Sequence, residues 1–159
     1  MLRGKTALIT GSISGLGYAM AEALAQQNAN IILHGLEPLK QAQEASERLE
    51  SMYEVSVIHT QANLTKVSEI EALIHQAQKR FGSIDILINN AGGGSGSGAC
   101  HLLERDPEDV GRLIATNLTG ALHCCQAAAR IMIPQKSGKI ISISSMAALM
   151  GRDLSLIHI

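Results

Sequence analysis

The apolar positions of this chain fall into short continuous runs separated by segments with a three-to-four-residue repeat. Runs rich in β-branched residues occur at Lys5 to Thr10, Asn30 to His34, Val55 to Thr60, Ile84 to Asn89 and Lys139 to Ser144. Such runs, without polar alternation, suit strands buried on both faces. The segments between them carry helix-start signals. Pro38 suits a first turn, Ser68 with Glu71 three residues on matches a capping box, and Asp106-Pro107 places a cap before a residue with no N–H to satisfy. Strands alternating with helices predict an α/β fold: a doubly wound, Rossmann-like parallel sheet with right-handed crossovers, ending here at its fifth strand.

The first run leads through Thr10-Gly11-Ser12-Ile13-Ser14-Gly15-Leu16-Gly17 into a helix expected over about Leu16 to Gln27. Residues without a Cβ permit a tight turn and a close approach of backbone to a pyrophosphate, and the free N–H groups and dipole of a helix start attract an anion. Gly11, Ser12, Ser14, Gly15, Leu16 and Gly17 are therefore candidate phosphate contacts. The spacing is G-x-x-x-G-x-G rather than G-x-G-x-x-G, and any strand-to-helix turn can use glycine, so a second motif is needed to interpret it.

Composition narrows the field. A length of 159 residues, 46% of them hydrophobic, is enough for one domain with a buried core. Thirteen basic residues are scattered among 14 acidic ones, which disfavours nucleic acid and anionic membranes as partners. Cys100, Cys124 and Cys125 form no disulfide framework or zinc spacing and read as free buried thiols. His59, His75, His101 and His123 share no ligand spacing, so no metal is expected, and Glu69, Glu71, Lys79 and Arg80 read as a solvated helix face. With no leader before the first strand and no apolar run approaching about 18 residues, a soluble cytoplasmic protein is expected.

Gly92 to Gly98 looks like a linker, but the pieces flanking it are too small to fold separately. It follows the fourth strand at its carboxyl end, where open α/β sheets bind ligands, and is expected to be a mobile loop beside a cofactor. Just before it, Ile84-Asp85-Ile86-Leu87-Ile88-Asn89-Asn90-Ala91-Gly92 runs from a strand into two amides and two small residues. The amides can satisfy neighbouring backbone groups, and Ala91 and Gly92 leave room for a flat ring.

With both motifs in hand, the chain resembles the short-chain dehydrogenase/reductase family, over about residues 2 to 153. That family's glycine loop has the form T-G-x-x-x-G-x-G and its fourth strand ends in N-N-A-G; both are present in full, at Thr10 to Gly17 and Asn89 to Gly92. The resemblance implies dinucleotide binding at the first motif and, at Asn90, Ala91 and Gly92, a lining for its adenosine side. It also implies hydride transfer between a nicotinamide and an alcohol or carbonyl carbon, with the protein supplying position and proton transfer. Asn117 matches the asparagine that helps hold a relay water, and Ser145 the serine that hydrogen-bonds the substrate oxygen.

The resemblance breaks at the family's proton donor, a tyrosine followed four residues later by a lysine. The corresponding position is His158, which has no such lysine, and neither Tyr18 nor Tyr53 lies where it could substitute. Leu154 to Ile159 resembles a translated library adapter and is expected to be a non-native read-through tail, leaving residues 1 to 153 as an incomplete dinucleotide-binding domain. The chain itself is therefore expected to be inactive. The reaction would belong to a longer parent, which family resemblance makes a homo-oligomer.

At the end of the second strand, Leu33-His34-Gly35-Leu36 presents neither a clear acid for a ribose 2′-hydroxyl nor a base for a 2′-phosphate. Ser14 occupies a position where NADP-preferring relatives often carry arginine, so NAD is the expected cofactor, with NADP still compatible. His34 would lie near the ribose. Asn63 and Leu64 stand where the family contacts adenine, Asn63 keeping an acceptor but not the usual aspartate charge. Ala29 to Leu36 and Asn63 to Lys66 resemble bacterial D-3-hydroxybutyrate dehydrogenases, which makes 3-hydroxybutyrate/acetoacetate the lead substrate pair. A 3-oxoacyl-thioester reductase, a sugar-acid dehydrogenase of the same family and a non-catalytic dinucleotide-binding module are the alternatives.

Overall fold

A computed structural model describes residues 1–93 and 106–145. Most of the glycine-rich segment, Cys100, His101, His158 and the expected tail lie outside the described residues. Five parallel strands, β1 (Thr6–Ile9), β2 (Asn30–His34), β3 (Val57–Thr60), β4 (Ile86–Asn89) and β5 (Lys139–Ser142), form one sheet in the order β3-β2-β1-β4-β5. Helices α1 (Gly15–Ala25), α2 (Leu39–Tyr53), α3 (Val67–Phe81), α4 (Pro107–Ile114) and α5 (Ala121–Gln135) complete the Rossmann-like arrangement. The chain runs outward from β1 through β2 to β3, then returns to the other side of β1. Ligands bind at that reversal in open α/β sheets.

The two-residue period of a strand divides the sheet's apolar side chains between its faces. Leu8, Ile32 and Leu87 pack with Ile70, Leu73 and Ala77 of α3 and with Cys124, Ala128 and Ile131 of α5. Ala7, Ile9, Ile31, Leu33 and Ile88 meet α1 and α2. The buried positions of α1 are Gly17, Ala21 and Ala25. This small-residue stripe at four-residue spacing lets the helix lie close on the sheet and sets its first turn directly beyond β1. β5 differs: all four of its residues are exposed, including Ile140 at 41% and Ile141 at 46%.

At the amino end of the sheet, Asp85 is buried. Its Oδ1 accepts from Lys5 Nζ at 2.7 Å, and its Oδ2 accepts from the Thr6 N–H at 3.0 Å and Ser83 Oγ at 3.1 Å. Burial alone would raise its pKa, but Lys5 and the two other donors outweigh that and hold it below the ordinary value. Burial, with the neighbouring Cys125, pushes the Cys124 thiol up to about 12, which keeps it protonated and unreactive.

Of the expected helix starts, Asp106 caps α4 through the Glu108 N–H, with Pro107 in the first turn, and Pro38 immediately precedes α2. The Ser68/Glu71 capping box does not form. Helix α3 begins at Val67 without a side-chain cap, because Asn63 makes its own turn: its Oδ1 accepts from the Thr65 N–H at 3.0 Å and Thr65 Oγ1 at 2.8 Å. Glu69 then takes the Asn63 N–H at 2.6 Å and pairs with Lys66. Between α4 and α5 the helix passes through a π-helical segment, Ala115–Gly120, whose last residue packs against the Leu64 carbonyl. A Cβ at Gly120 would stand 2.6 Å from that oxygen.

Candidate functional site

The loop after β1 and the loop after β4 interlock through side chains of both. Thr10 Oγ1 accepts from the N–H groups of Asn90 at 3.0 Å and Ala91 at 2.9 Å. Asn90 Nδ2 donates back to the carbonyls of Thr10 at 3.0 Å and Gly11 at 2.8 Å. Two backbone N–H groups and two backbone carbonyls are thus satisfied at the boundary between β1 and β4, where the strand order reverses.

The glycines make that interlock sterically possible. Gly11 has φ +62°, and a Cβ there would stand 2.9 Å from Ala91 Cα. A Cβ at Gly17 would overlap the Gly11 carbonyl oxygen and come within 2.6 Å of Asn90 Nδ2. Gly15, at φ +58°, opens α1, while Ser14 holds an extended cap conformation without a side-chain cap bond. The N–H groups of Gly15, Leu16 and Gly17 therefore lie in a helical first turn, where no earlier turn supplies an acceptor, and Ser14 and Leu16 are exposed beside them.

Ser12 and His34 are buried behind this surface. The Ser12 hydroxyl donates to the Ile9 carbonyl at 2.7 Å and accepts the His34 N–H at 3.0 Å; its own N–H donates to the His34 carbonyl at 2.7 Å. Ser12 thereby fastens the loop to β2 and offers its hydroxyl to the sheet. The His34 residue is 2% exposed. Its Nδ1 accepts the Gly11 N–H at 3.1 Å and its Nε2 lies 2.8 Å from the Ala62 carbonyl. Only the neutral tautomer with hydrogen on Nε2 satisfies both bonds. Burial lowers the pKa below the ordinary histidine value; the bond to Ala62 and the charge of Glu37 oppose this without cancelling it. His34 thus clamps the loops after β1 and β3 to the end of β2 and forms part of a cleft wall.

Two clefts flank the interlock and share Asn90, Ala91 and Gly92. One, of about 520 Å³, lies on the β2/β3 side and is lined by Gly11, His34, Gly35, Glu37, Asn63, Leu64 and Thr116 among others. Asn63 reaches it with its side-chain oxygen already engaged in the turn to Thr65. The other, of about 540 Å³, lies on the β4/β5 side and is lined by Asn89, Gly93, Asn117, Ala121 and Ser142 to Ser145. Asn117 stands in the π-helical segment and reads the Gly93 backbone in both directions, donating through Nδ2 to its carbonyl at 3.1 Å and accepting its N–H on Oδ1 at 3.2 Å. Ser145 is exposed in the same cleft. Asn89 Oδ1 is buried there with no hydrogen-bond partner among the described residues, while its Nδ2 contacts Cys125 Sγ at 3.1 Å.

Both tyrosines are occupied elsewhere. Tyr18 donates to the Ala45 carbonyl at 3.4 Å, and burial raises its pKa. Tyr53 donates to Glu22 Oε1 at 3.0 Å. Neither lines either cleft. Among the described residues, no group of three or more His, Cys, Asp or Glu side chains is arranged to hold a metal ion, and no helix is long and apolar enough to cross a membrane.

Residues 5–156 match the family model described as short chain dehydrogenase. The chain belongs to that family. A D-beta-hydroxybutyrate dehydrogenase of Cupriavidus necator is 39% identical over 145 residues, covering 91% of this chain and 54% of the relative. Among solved structures, an NAD+-bound xylitol dehydrogenase superposes with TM-score 0.89 at 27% identity, covering 96% of this chain and 57% of that one. A metagenomic short-chain oxidoreductase in complex with NADP also gives 0.89 at 27% identity, covering 99% and 69%. The chain spans little more than half the length of the curated relatives it matches.

Within this family fold, the sequence motifs bring Gly11, Gly15, Gly17, Asn90, Ala91 and Gly92 together. Sequence reasoning did not single out two residues of the same site. Thr10 was visible as the first letter of the glycine motif, but its pairing with the other loop was not. Glu37 was hidden because it lies beyond the strand end, and only the fold carries it back to the cleft.

Proposed function

We propose that the two clefts and the α1 N-terminus bind a nicotinamide dinucleotide, the adenosine half on the β2/β3 side and the nicotinamide half on the β4/β5 side. The observation that carries this reading is the interlock of Thr10 and Asn90 around Gly11 and Gly17. It holds Gly11 and Asn90, which line the β2/β3-side cleft, against Gly17 in the first turn of α1, where any Cβ would intrude. The residues fit the group: N–H donors of Gly15, Leu16 and Gly17 for a pyrophosphate, and small residues Ala91 and Gly92 beside a flat ring.

When bound, the nicotinamide would accept the hydride in alcohol oxidation and give it up in carbonyl reduction. This chain's residues bind and orient: Asn117 positions the Gly93 backbone and a relay water, and Ser145 donates to the substrate oxygen. In a longer parent the activity would be oxidation of an alcohol or reduction of a carbonyl. The relative at 39% identity supports 3-hydroxybutyrate/acetoacetate as the substrate pair. The 159-residue chain binds but does not turn over, because neither tyrosine is free to serve as proton donor and no Tyr-x-x-x-Lys sequence occurs.

Titrating the chain with NADH by fluorescence tests the binding, and absence of a saturable signal at millimolar NADH would overturn it. Incubation with NAD and 3-hydroxybutyrate should yield no NADH. Sustained production by pure chain would refute the division between binding and chemistry.

A further inference from the structure

Both backbone polar groups of Gly11 are held by side chains from other strand ends. Its carbonyl accepts from Asn90 Nδ2 at 2.8 Å and lies where a Cβ at Gly17 would stand; its N–H donates to His34 Nδ1 at 3.1 Å. The first tie does not depend on pH, because an amide does not titrate. The second needs the lone pair of Nδ1 and exists only while the imidazole is neutral. Nε2 is engaged at the Ala62 carbonyl, and the backbone N–H and carbonyl of His34 are both bonded to Ser12, so the ring is fixed between the loops after β1 and β3.

A second proton would go to Nδ1 and set its N–H against that of Gly11, leaving two donors without an acceptor. Relief requires Gly11 to move, which disturbs its contacts with Asn90 and with the first turn of α1. The residues facing the ring from the loop after β1, Gly11 and Ser12, and from β3 and its loop, Thr60 and Ala62, carry no charge. Glu37, whose carboxylate fills the space left at Gly35, is the charged group that acts on the ring. Of the described residues lining this cleft, His34 and Glu37 are the two that titrate. Burial outweighs Glu37 and holds the ring's pKa below the ordinary histidine value.

We propose that His34 is a positioning residue for the dinucleotide: its neutral ring, acting through Gly11, holds the glycine loop in the shape that admits a pyrophosphate, and a second proton on the ring releases the loop and the ligand with it. This rests on the dinucleotide reading above. Binding thereby becomes sensitive to acid through a group that does not touch the pyrophosphate.

Fluorescence titration of the full 159-residue chain with NADH, from about pH 8 down to about pH 5 with circular dichroism confirming the fold at each step, tests this on wild type, His34→Asn, His34→Ala and Glu37→Gln. The pyrophosphate of NADH keeps its charge over this range, so a change in affinity reports the protein. Wild-type affinity should be level above about pH 6.5 and fall below it, approaching about tenfold per pH unit once the ring is mostly protonated. His34→Asn keeps an acceptor for the Gly11 N–H without a titrating ring. Its affinity should stay level with pH and exceed that of His34→Ala at about pH 8 by about threefold or more. Glu37→Gln should retain the acid fall, displaced to lower pH, because it removes a charge that favours the protonated ring. Equal affinities for His34→Asn and His34→Ala, a wild-type profile as level as that of His34→Asn, or a fall that survives in His34→Asn would each overturn the assignment of His34 and leave the dinucleotide reading standing. A fall abolished by Glu37→Gln would overturn it as well, by giving the switch to the carboxylate. If wild type binds no NADH at about pH 8, both readings fall.

Discussion

The two clefts are similar in volume and built in opposite ways. On the β2/β3 side the wall is made of buried groups whose hydrogen bonds cross between loops: His34 to Gly11 and Ala62, Ser12 to Ile9 and His34, Asn90 to Thr10 and Gly11. On the β4/β5 side Asn89 is buried, but the polar residues Asn117, Ser142, Ser144 and Ser145 are exposed, and β5 is exposed along its length. Two of the cleft asparagines, Asn90, shared by both clefts, and Asn117, show the contrast in one residue type. Asn90 holds two strand-end loops together, whereas Asn117 holds a single exposed glycine. The loops proposed to bind are thus tied into the core, while Asn117 and Ser145, proposed for the chemistry, are exposed.

The largest test of that difference is Gly17→Val. Its Cβ would meet backbone, which cannot swing aside, so NADH binding should vanish from fluorescence titrations and stability should fall by about 1–3 kcal/mol in urea. Asn90→Ala leaves two carbonyls without their donor and should cost about 1–3 kcal/mol together with weakened NADH binding. Asn117→Ala should cost less than about 1 kcal/mol, because water replaces its exposed bonds. Equal losses for the two asparagines would erase the distinction between the clefts.

Acid should act first on the β2/β3 side. The folded His34 pKa lies below the unfolded value, so its contribution to stability is complete above about pH 6.5 and is lost as pH falls toward the folded value. Urea melts between pH 7.5 and 5 should show this decline, and His34→Gln should flatten it. Asp85, also lowered, acts in a separate window: its contribution is complete above about pH 3.9 and disappears on further acidification. Asp85→Asn should flatten only that lower limb. The smallest expected effect is Ser145→Ala, which should leave both urea stability and NADH affinity within about 0.5 kcal/mol of wild type. A larger change in NADH affinity would join the two clefts energetically.

Each part of the molecule was legible to the degree that its cause was local. The five strands were visible because burial on both faces demands uninterrupted apolar runs, and Asp106-Pro107 because a cap and a proline act within one turn. The capping box at Ser68 misled because Asn63 had already organised the preceding turn, and two competing local patterns cannot be ranked without their surroundings. His34 was read as a candidate beside a ribose, but its role as a clamp was not legible, since its partners Gly11 and Ala62 belong to two other strand ends.

What the chain's sequence determined by itself is the alternating α/β order and the glycine and N-N-A-G motifs, because periodicity and the absence of a Cβ are properties of residues and their spacing. The tertiary structure decided which of these residues meet. Parallel crossovers bring strand ends tens of residues apart in sequence to one edge of the sheet, so Thr10 finds Asn90, His34 finds two loops, and Glu37 enters the space that Gly35 leaves.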